Sequence, residues 1–199
     1  MKAVPSPGQL EFPFSGGRLC LDLTGTVGQR DTWGRDALGY ERLREPADLS
    51  RWMVEAGLLE RPPRADAAAL SLARDLREAI YRSLSAVRAG RAADGKDLTA
   101  INEAASWPGR VPQLDVQTFR VSWTAARPVR AGLAAVARDA VMLLGSDQIH
   151  RVRECAAADC SLLFLDSSRS GRRRWCSMDR CGNRQKTATY RHRRSGSPA

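Results

Sequence analysis

The sequence contains only two histidines among its 199 residues, and aromatic residues make up only 6% of it. Both histidines, His150 and His192, lie in the last 50 residues, so residues 1–149 lack the side chain that most often acts as a general acid or base. That region also contains no glycine-rich phosphate loop and no nucleophile motif. No apolar run approaches the ~20 residues that a membrane-spanning helix needs, and residues 1–10 contain no signal-peptide core. We therefore expect a soluble, cytoplasmic protein that is not an enzyme.

The positive charge is concentrated at one end of the chain. The net charge is +10, and residues 151–199 contain 12 Lys and Arg against four Asp and Glu, whereas residues 1–150 contain 20 against 18. All 12 are arginine except Lys186, and arginine pairs bidentately with phosphate and with guanine. The excess predicts contact with a polyanion, and the scarcity of aromatics favours DNA over RNA. A solvated basic tail is the alternative.

Hydrophobic periodicity predicts a mainly helical N-terminal domain over residues 1–147. The predicted helices lie at 49–59, 66–88, 98–105 and 128–144. A short apolar element at 19–27 is interpreted as a further helix, although periodicity alone does not distinguish helix from strand there. An apolar run at Val111, Leu114 and Val116, followed by strict alternation over 119–124, predicts one small antiparallel hairpin. Trp52, Trp107 and Trp123 fall at helical or strand-periodic positions and are predicted to belong to the core.

Four of the five cysteines form two matched pairs in the last 45 residues. Cys155-x4-Cys160 and Cys176-x4-Cys181 are separated by 15 residues, and zinc prefers four soft ligands in a tetrahedron. This segment of about 45 residues has too few large apolar side chains to fold without a crosslink. We therefore predict one structural zinc per chain, bound by these four thiolates. The alternative is a set of reduced core cysteines. Cys20, in an apolar run, is predicted to be a small buried hydrophobe.

The order of elements around the cysteines is typical of a treble-clef-like finger, predicted over residues 148–195 with a disordered tail at 196–199. The insert predicts a hairpin of 162–166 with 172–175, and a terminal helix follows Cys181. Trp175 is expected to pack on this finger. Asn183 is expected either to cap the terminal helix or to contact a base. The predicted fold class is thus α+β, a helical domain with a small sheet followed by a zinc finger.

The C-terminal motifs carry a resemblance to a known family. Cys181-Gly182-Asn183-Arg184 stands at the second pair, and further matches are Arg151-Val152-Arg153-Glu154-Cys155, Leu163-Phe164-Leu165-Asp166 and Arg174-Trp175-Cys176-Ser177-Met178. Residues 149–194 thereby resemble the CGNR zinc-finger family. Gly16-Gly17-Arg18-Leu19-Cys20-Leu21-Asp22-Leu23 is similar to the ABATE domain that accompanies this finger in bacterial stress-induced transcription regulators, although that family usually has Asn near the place of Gly25. The resemblance implies a zinc-binding, DNA-associated regulator.

Together these features predict a zinc-dependent DNA-binding transcription regulator, associated with the nucleoid. The predicted DNA contacts are the basic residues around and after the second cysteine pair: Arg172, Arg173, Arg174, Arg184, Lys186, Arg191, Arg193 and Arg194. The N-terminal domain would sense a signal or dimerise, so a homodimer and a small-molecule effector are further expected partners. The alternative is a zinc-stapled module that recruits another protein without direct DNA readout.

Overall fold

Five α-helices form most of the N-terminal part in the computed structural model, which describes residues 10–30, 40–157 and 160–187. They are α1 (Leu19–Thr24), α2 (Pro46–Glu55), α3 (Ala67–Arg88), α4 (Gly95–Ser106) and α5 (Pro128–Leu144). The described part of the chain contains no helix that is long and apolar enough to cross a membrane.

Local sequence signals set the helix boundaries. The side chain of Asp66 accepts a hydrogen bond from the amide of Ala69 and caps α3. Pro46 and Pro128 occupy the first turns of α2 and α5, where no amide donor is required. The apolar stripe predicted for 66–88 is buried against the other helices, with Ile80 and Leu84 fully covered. The predicted long helix is therefore confirmed.

Three two-stranded antiparallel sheets complete the fold. β1 (Val27–Gly28) pairs with β2 (Tyr40–Glu41), β3 (Val111–Leu114) with β4 (Val121–Thr124), and β5 (Val152–Glu154) with β6 (Leu163–Leu165). Together with the helices and the C-terminal cysteine cluster, these sheets confirm the predicted α+β class.

The β3–β4 hairpin forms as predicted, but the burial of one of its side chains was predicted wrongly. Trp52 is fully buried and Trp107 packs against the main core, as expected. Trp123, in contrast, is 49% exposed. Its register partner is Pro112, and every residue of both strands is exposed. Alternation identifies a sheet face but not what covers it, and here the Arg110 guanidinium lies 5.6 Å over the Trp123 ring while both strands stay exposed.

The predicted pairing within the finger is also wrong. β6 pairs with β5, which precedes the first cysteine, and residues 172–175 form no strand. Pairing Glu154 with Leu163 closes a short loop that carries Cys155 and Cys160, so the hairpin brackets the first cysteine pair. The returning segment instead bonds to this loop through the amide of Ala156 and the carbonyl of Arg174, 2.9 Å apart.

The β5–β6 hairpin belongs to two hydrophobic clusters. Val152 and Leu163 are buried in the main helical core, whereas Phe164 is buried in a second cluster with the cysteines. Two hydrogen bonds add to this connection: Leu165 donates its amide to the Gly16 carbonyl at 2.8 Å, and Arg30 donates its amide to Ser161 Oγ at 2.8 Å. The finger is thus attached through a shared strand pair, and the predicted boundary at 147/148 stays a prediction.

Candidate metal centre and basic surface

Four cysteine sulfurs converge at the end of the β5–β6 hairpin. The Sγ atoms of Cys155, Cys160, Cys176 and Cys181 all lie within 4.8 Å of one another. The Cys160–Cys176 and Cys176–Cys181 sulfurs are 3.8 and 3.6 Å apart. A tetrahedral zinc site with Zn–S bonds of about 2.3 Å requires sulfurs roughly 3.8 Å apart, and a disulfide requires about 2.05 Å. All four thiols are free, so the donor set fits one zinc ion.

Each cysteine is positioned by backbone structure next to it. Cys155 follows β5 and donates its amide to the Leu162 carbonyl at 2.9 Å. Cys160 precedes β6, and its amide bonds the Ala157 carbonyl at 2.9 Å. Cys181 lies in helix α6, which begins with a π-type turn over Met178–Gly182 and continues as α-helix over 183–187. The fourth ligand therefore lies at a helix start, as predicted, where the helix dipole favours a thiolate.

Hydrogen-bond donors surround the sulfurs. The Cys155 sulfur accepts a hydrogen bond from the Cys176 amide at 3.4 Å. Arg184 donates a guanidinium N–H to the Cys181 sulfur at 3.5 Å. A zinc ion with four thiolates carries two excess negative charges, and donors of this kind offset them.

A side chain at the glycine of the CGNR stretch would require the end of the Met178 side chain to move. A Cβ on Gly182 would lie 2.5 Å from the Met178 sulfur and 3.3 Å from the Trp175 ring. Trp175 is partly buried against the cysteine cluster, which confirms its predicted place on the finger.

Asn183 does not cap the helix that follows the second cysteine pair. The N-cap is Ser177, whose hydroxyl accepts the Arg180 amide at 3.0 Å, so the capping role expected of Asn183 is wrong. The signal was available, since serine before a helical segment is a preferred N-cap residue. Asn183 lies inside the helix with an exposed side chain.

Two polar side chains, Asp166 and Arg173, hold the second cysteine loop in place. Asp166 is fully buried and accepts the amides of Ser168 and Arg173, both at 3.0 Å. Arg173 donates its Nε to the Trp175 carbonyl at 2.8 Å, also donates to the Cys176 carbonyl, and lies 4.6 Å over the Phe164 ring. Although Arg173 was predicted to contact DNA, its guanidinium is occupied in holding the Cys176 loop.

The structure describes four of the other predicted DNA contacts. Arg172, Arg174, Arg184 and Lys186 are exposed. Arg191, Arg193, Arg194 and His192 lie outside the described residues. His150 is exposed just before β5 and is not part of the ligand cluster.

Purified protein is expected to contain about one zinc per chain, because the four sulfurs already lie at tetrahedral spacing. Elemental analysis and native mass spectrometry measure this directly. Cys20→Ala is the matched control and should retain the metal, since Cys20 is buried in the helical core. A folded finger without metal, or a disulfide between any two of the four cysteines, would contradict the assignment.

A four-thiolate centre on a strand pair and a helix start places the chain among zinc-finger proteins. Residues 151–194 match the CGNR zinc finger. Residues 17–147 match ABATE, the family described as "Putative stress-induced transcription regulator". The latter match spans well over half of the chain, so the protein belongs to the ABATE family and carries a CGNR zinc finger. A comparison with curated proteins gave no match. The two family descriptions name a transcription regulator and a zinc finger, and neither names an enzyme.

Proposed function

We propose that this protein is a zinc-dependent DNA-binding transcription regulator. In this role the finger contacts DNA, and the ABATE part senses a signal or dimerises. One observation carries the proposal: four exposed cationic side chains, Arg172, Arg174, Arg184 and Lys186, are placed on the segments that hold Cys176 and Cys181.

Zinc would join these basic segments into one surface. Arg172 and Arg174 precede Cys176 in the loop, whereas Arg184 and Lys186 follow Cys181 in α6. The two cysteine sulfurs lie 3.6 Å apart, so a single ion bound to both fixes the two segments relative to each other. Loss of the metal would separate the positive charges and weaken DNA binding.

The charge predicts how DNA binding should depend on salt. Residues 151–199 have eight more basic than acidic side chains. If about five of them neutralise phosphates, the logarithm of the affinity falls with the logarithm of the salt concentration at a slope of roughly −4 to −5, since each contributes about −0.9. Fluorescence anisotropy of labelled genomic fragments with the full chain, over a series of salt concentrations, measures this slope.

Arginine variants test which residues form the surface. Replacing Arg172, Arg174 and Lys186 together by alanine should weaken binding to all sequences and flatten the salt slope. Replacing Arg184 should also change sequence preference, because an early residue of a docked helix can reach a base edge. Arg61→Ala is the control, because it removes an exposed arginine far from the finger. Arg61 lies near the first turn of α3, whereas the finger hairpin contacts Arg88 at the last turn of that helix.

Two outcomes would count against DNA binding. The metallated full chain could fail to bind any fragment at low salt, or it could bind with no salt dependence. Either result would favour the alternative function, a zinc-stapled module that recruits another protein. A chelator should abolish binding by the wild-type chain, and restored zinc should recover it.

A further inference from the structure

The β3–β4 hairpin has one apolar face that stays exposed in the described part of the chain. Paired residues of an antiparallel hairpin share a face, so the register places Pro112 with Trp123 and Leu114 with Val121 on one side. The opposite side carries the polar residues Gln113, Ser122 and Thr124 together with Val111. Leu114 and Val121 are each 60% exposed. The hairpin is therefore amphipathic, but its apolar side faces solvent.

The exposed apolar surface continues to the tip of the hairpin. Val116 is 84% exposed and Phe119 is 78% exposed. With Leu114, Val121 and Trp123 they present on the order of 600 Å² of surface, at the upper end of the range for the largest apolar patch of a soluble monomer. Two such patches brought together would bury about 1,200 Å², the lower end of the range for specific interfaces.

The turn at the tip of the hairpin uses the backbone of Phe119 but not its side chain. Its φ is +53°, a left-handed conformation that glycine or asparagine adopts more readily than a bulky residue. The turn itself is built by Asp115, which accepts the amides of Gln117 and Thr118 at 3.1 and 2.7 Å and whose carbonyl accepts the Phe119 amide. The phenyl ring is not needed for that turn and is held outward.

A small cavity lies at the opposite end, at the base of the hairpin. Its volume is about 210 Å³, and it is lined largely by apolar groups that include Trp107, Pro108 and Ala125. Arg130 stacks 5.1 Å over the Trp107 ring at its edge. The cavity is smaller than the roughly 300–1,000 Å³ of typical small-molecule sites, but it is large enough for one aromatic side chain.

We propose that the β3–β4 hairpin is a dimerisation arm, and that a second copy of this chain covers its apolar face. The two hairpins pack antiparallel about a two-fold axis, so the tip of each reaches the base of the other. Phe119 of one copy then enters the base cavity of its partner, and the same contact forms in reverse. Each chain supplies one exposed aromatic and one cavity, so the surface is complementary to itself. The Arg110 guanidinium lies 5.6 Å over the Trp123 ring at one end of the patch, and the apolar residues between it and the tip can meet those of a second copy without burying an unpaired charge.

This inference rests on the proposed function in one respect: it assigns dimerisation, rather than signal sensing, to the ABATE part. The test is sedimentation equilibrium of the full-length protein without DNA, from micromolar to near-millimolar concentration. The expected mass is twice the 21.9 kDa of one chain. Because no DNA is present, dimerisation and DNA binding can fail independently.

Two variants locate the interface. Phe119→Gly removes the ring and suits the positive φ, so the monomer should stay folded while the dimer dissociation constant rises at least about 30-fold. Val121→Asp places a charge on the exposed face and should have a similar effect. Thr118→Gly, which alters the same turn but keeps the ring, and Met142→Ala, which removes a side chain 66% exposed on α5, should leave the dimer unchanged.

Two results would overturn the proposal. A wild-type chain that is monomeric at every concentration would show that this face is covered by another part of the same chain or by a different protein. A dimer that survives both Phe119→Gly and Val121→Asp would place the interface elsewhere.

Discussion

Replacing Cys176 by serine is expected to release the zinc, unfold the second cysteine loop and destabilise the helical core as well. Structural zinc contributes on the order of 10 kcal/mol to small fingers, more than their apolar side chains can supply. In this chain the second cluster contains Phe164, Leu162 and the cysteines as its main buried groups. Without metal, such a cluster is too small to hold residues 166–187 in place.

The effect should extend beyond the finger because of the shared β5–β6 hairpin. Val152 and Leu163 are buried in the main core, and burying each contributes about 2 kcal/mol. If zinc loss loosens the hairpin, the helices lose part of that packing together with the hydrogen bonds from Leu165 and Arg30. We expect the free energy of unfolding of the helical part to fall by about 2–4 kcal/mol, with its helical content largely retained at room temperature.

Circular dichroism melting and limited proteolysis measure the two parts separately. Cleavage should begin within the second cysteine loop, and the helical signal should melt at a lower temperature than in the wild type. Cys20→Ala should be cleaved no faster in the finger than the wild type, since it keeps all four ligands. If the helices of Cys176→Ser melted as in the wild type while the finger was digested, the shared hairpin would not connect the two stabilities.

Features that depend on local periodicity were predictable from the sequence. The apolar stripe over 66–88 correctly predicted α3, which Asp66 caps, and the strand pattern over 111–123 correctly predicted the β3–β4 hairpin. The zinc site was equally accessible, because paired cysteines at short spacing can form a tetrahedral site whichever strands carry them. Such signals are contained within a few neighbouring residues.

Features that depend on which strands pair with each other, or on which elements pack together, were not predictable. Leu163–Leu165 is a short apolar strand, and nothing within it distinguishes pairing with 152–154 from pairing with 172–175. The burial of Asp166 follows from that choice, because the actual pairing directs two backbone amides at its carboxylate. Trp123 is a second example. The alternation around it correctly predicted a strand, but its burial depended on another element packing against that strand, which the sequence does not show.

Replacing Arg77 by methionine is expected to destabilise the fold by about 3 kcal/mol, the lower end of the cost of breaking a buried ion pair, because Arg74 and Arg30 still contact the two carboxylates. Arg77 is 1% exposed and donates to both carboxylate oxygens of Glu41 at 2.7 Å, and to Glu78 at 2.7 Å. It also donates to Thr26 Oγ1 at 3.0 Å. The guanidinium therefore joins α3 to β1–β2, and methionine can fill its volume but supplies no donor.

Arg82→Met provides a control on the same helix. Arg82 is 59% exposed, although it binds both oxygens of Asp97. Exposed pairs contribute at most about 1 kcal/mol, so this variant should lose far less stability in urea denaturation. Equal losses in the two variants would show that burial of the Arg77 pair does not set its contribution.

The dependence on pH gives an independent check of the same buried charges. Burial alone would raise the pKa of Glu78, but hydrogen bonds and charge from Arg30, together with Arg77, hold it below the ordinary value. A carboxylate with a depressed folded pKa contributes stability above the unfolded pKa, about 4.3, and that contribution is lost as the pH falls through the folded value.

Arg77→Met removes part of this lowering of the Glu78 pKa. The difference in unfolding free energy between wild type and Arg77→Met should therefore be full at neutral pH. It should narrow below about pH 4.3, where Glu78, still bound by Arg30 but without Arg77, becomes neutral. A difference that stays constant from neutral pH to pH values well below that point would mean that lost packing, rather than the lost contacts to the carboxylates, accounts for the destabilisation.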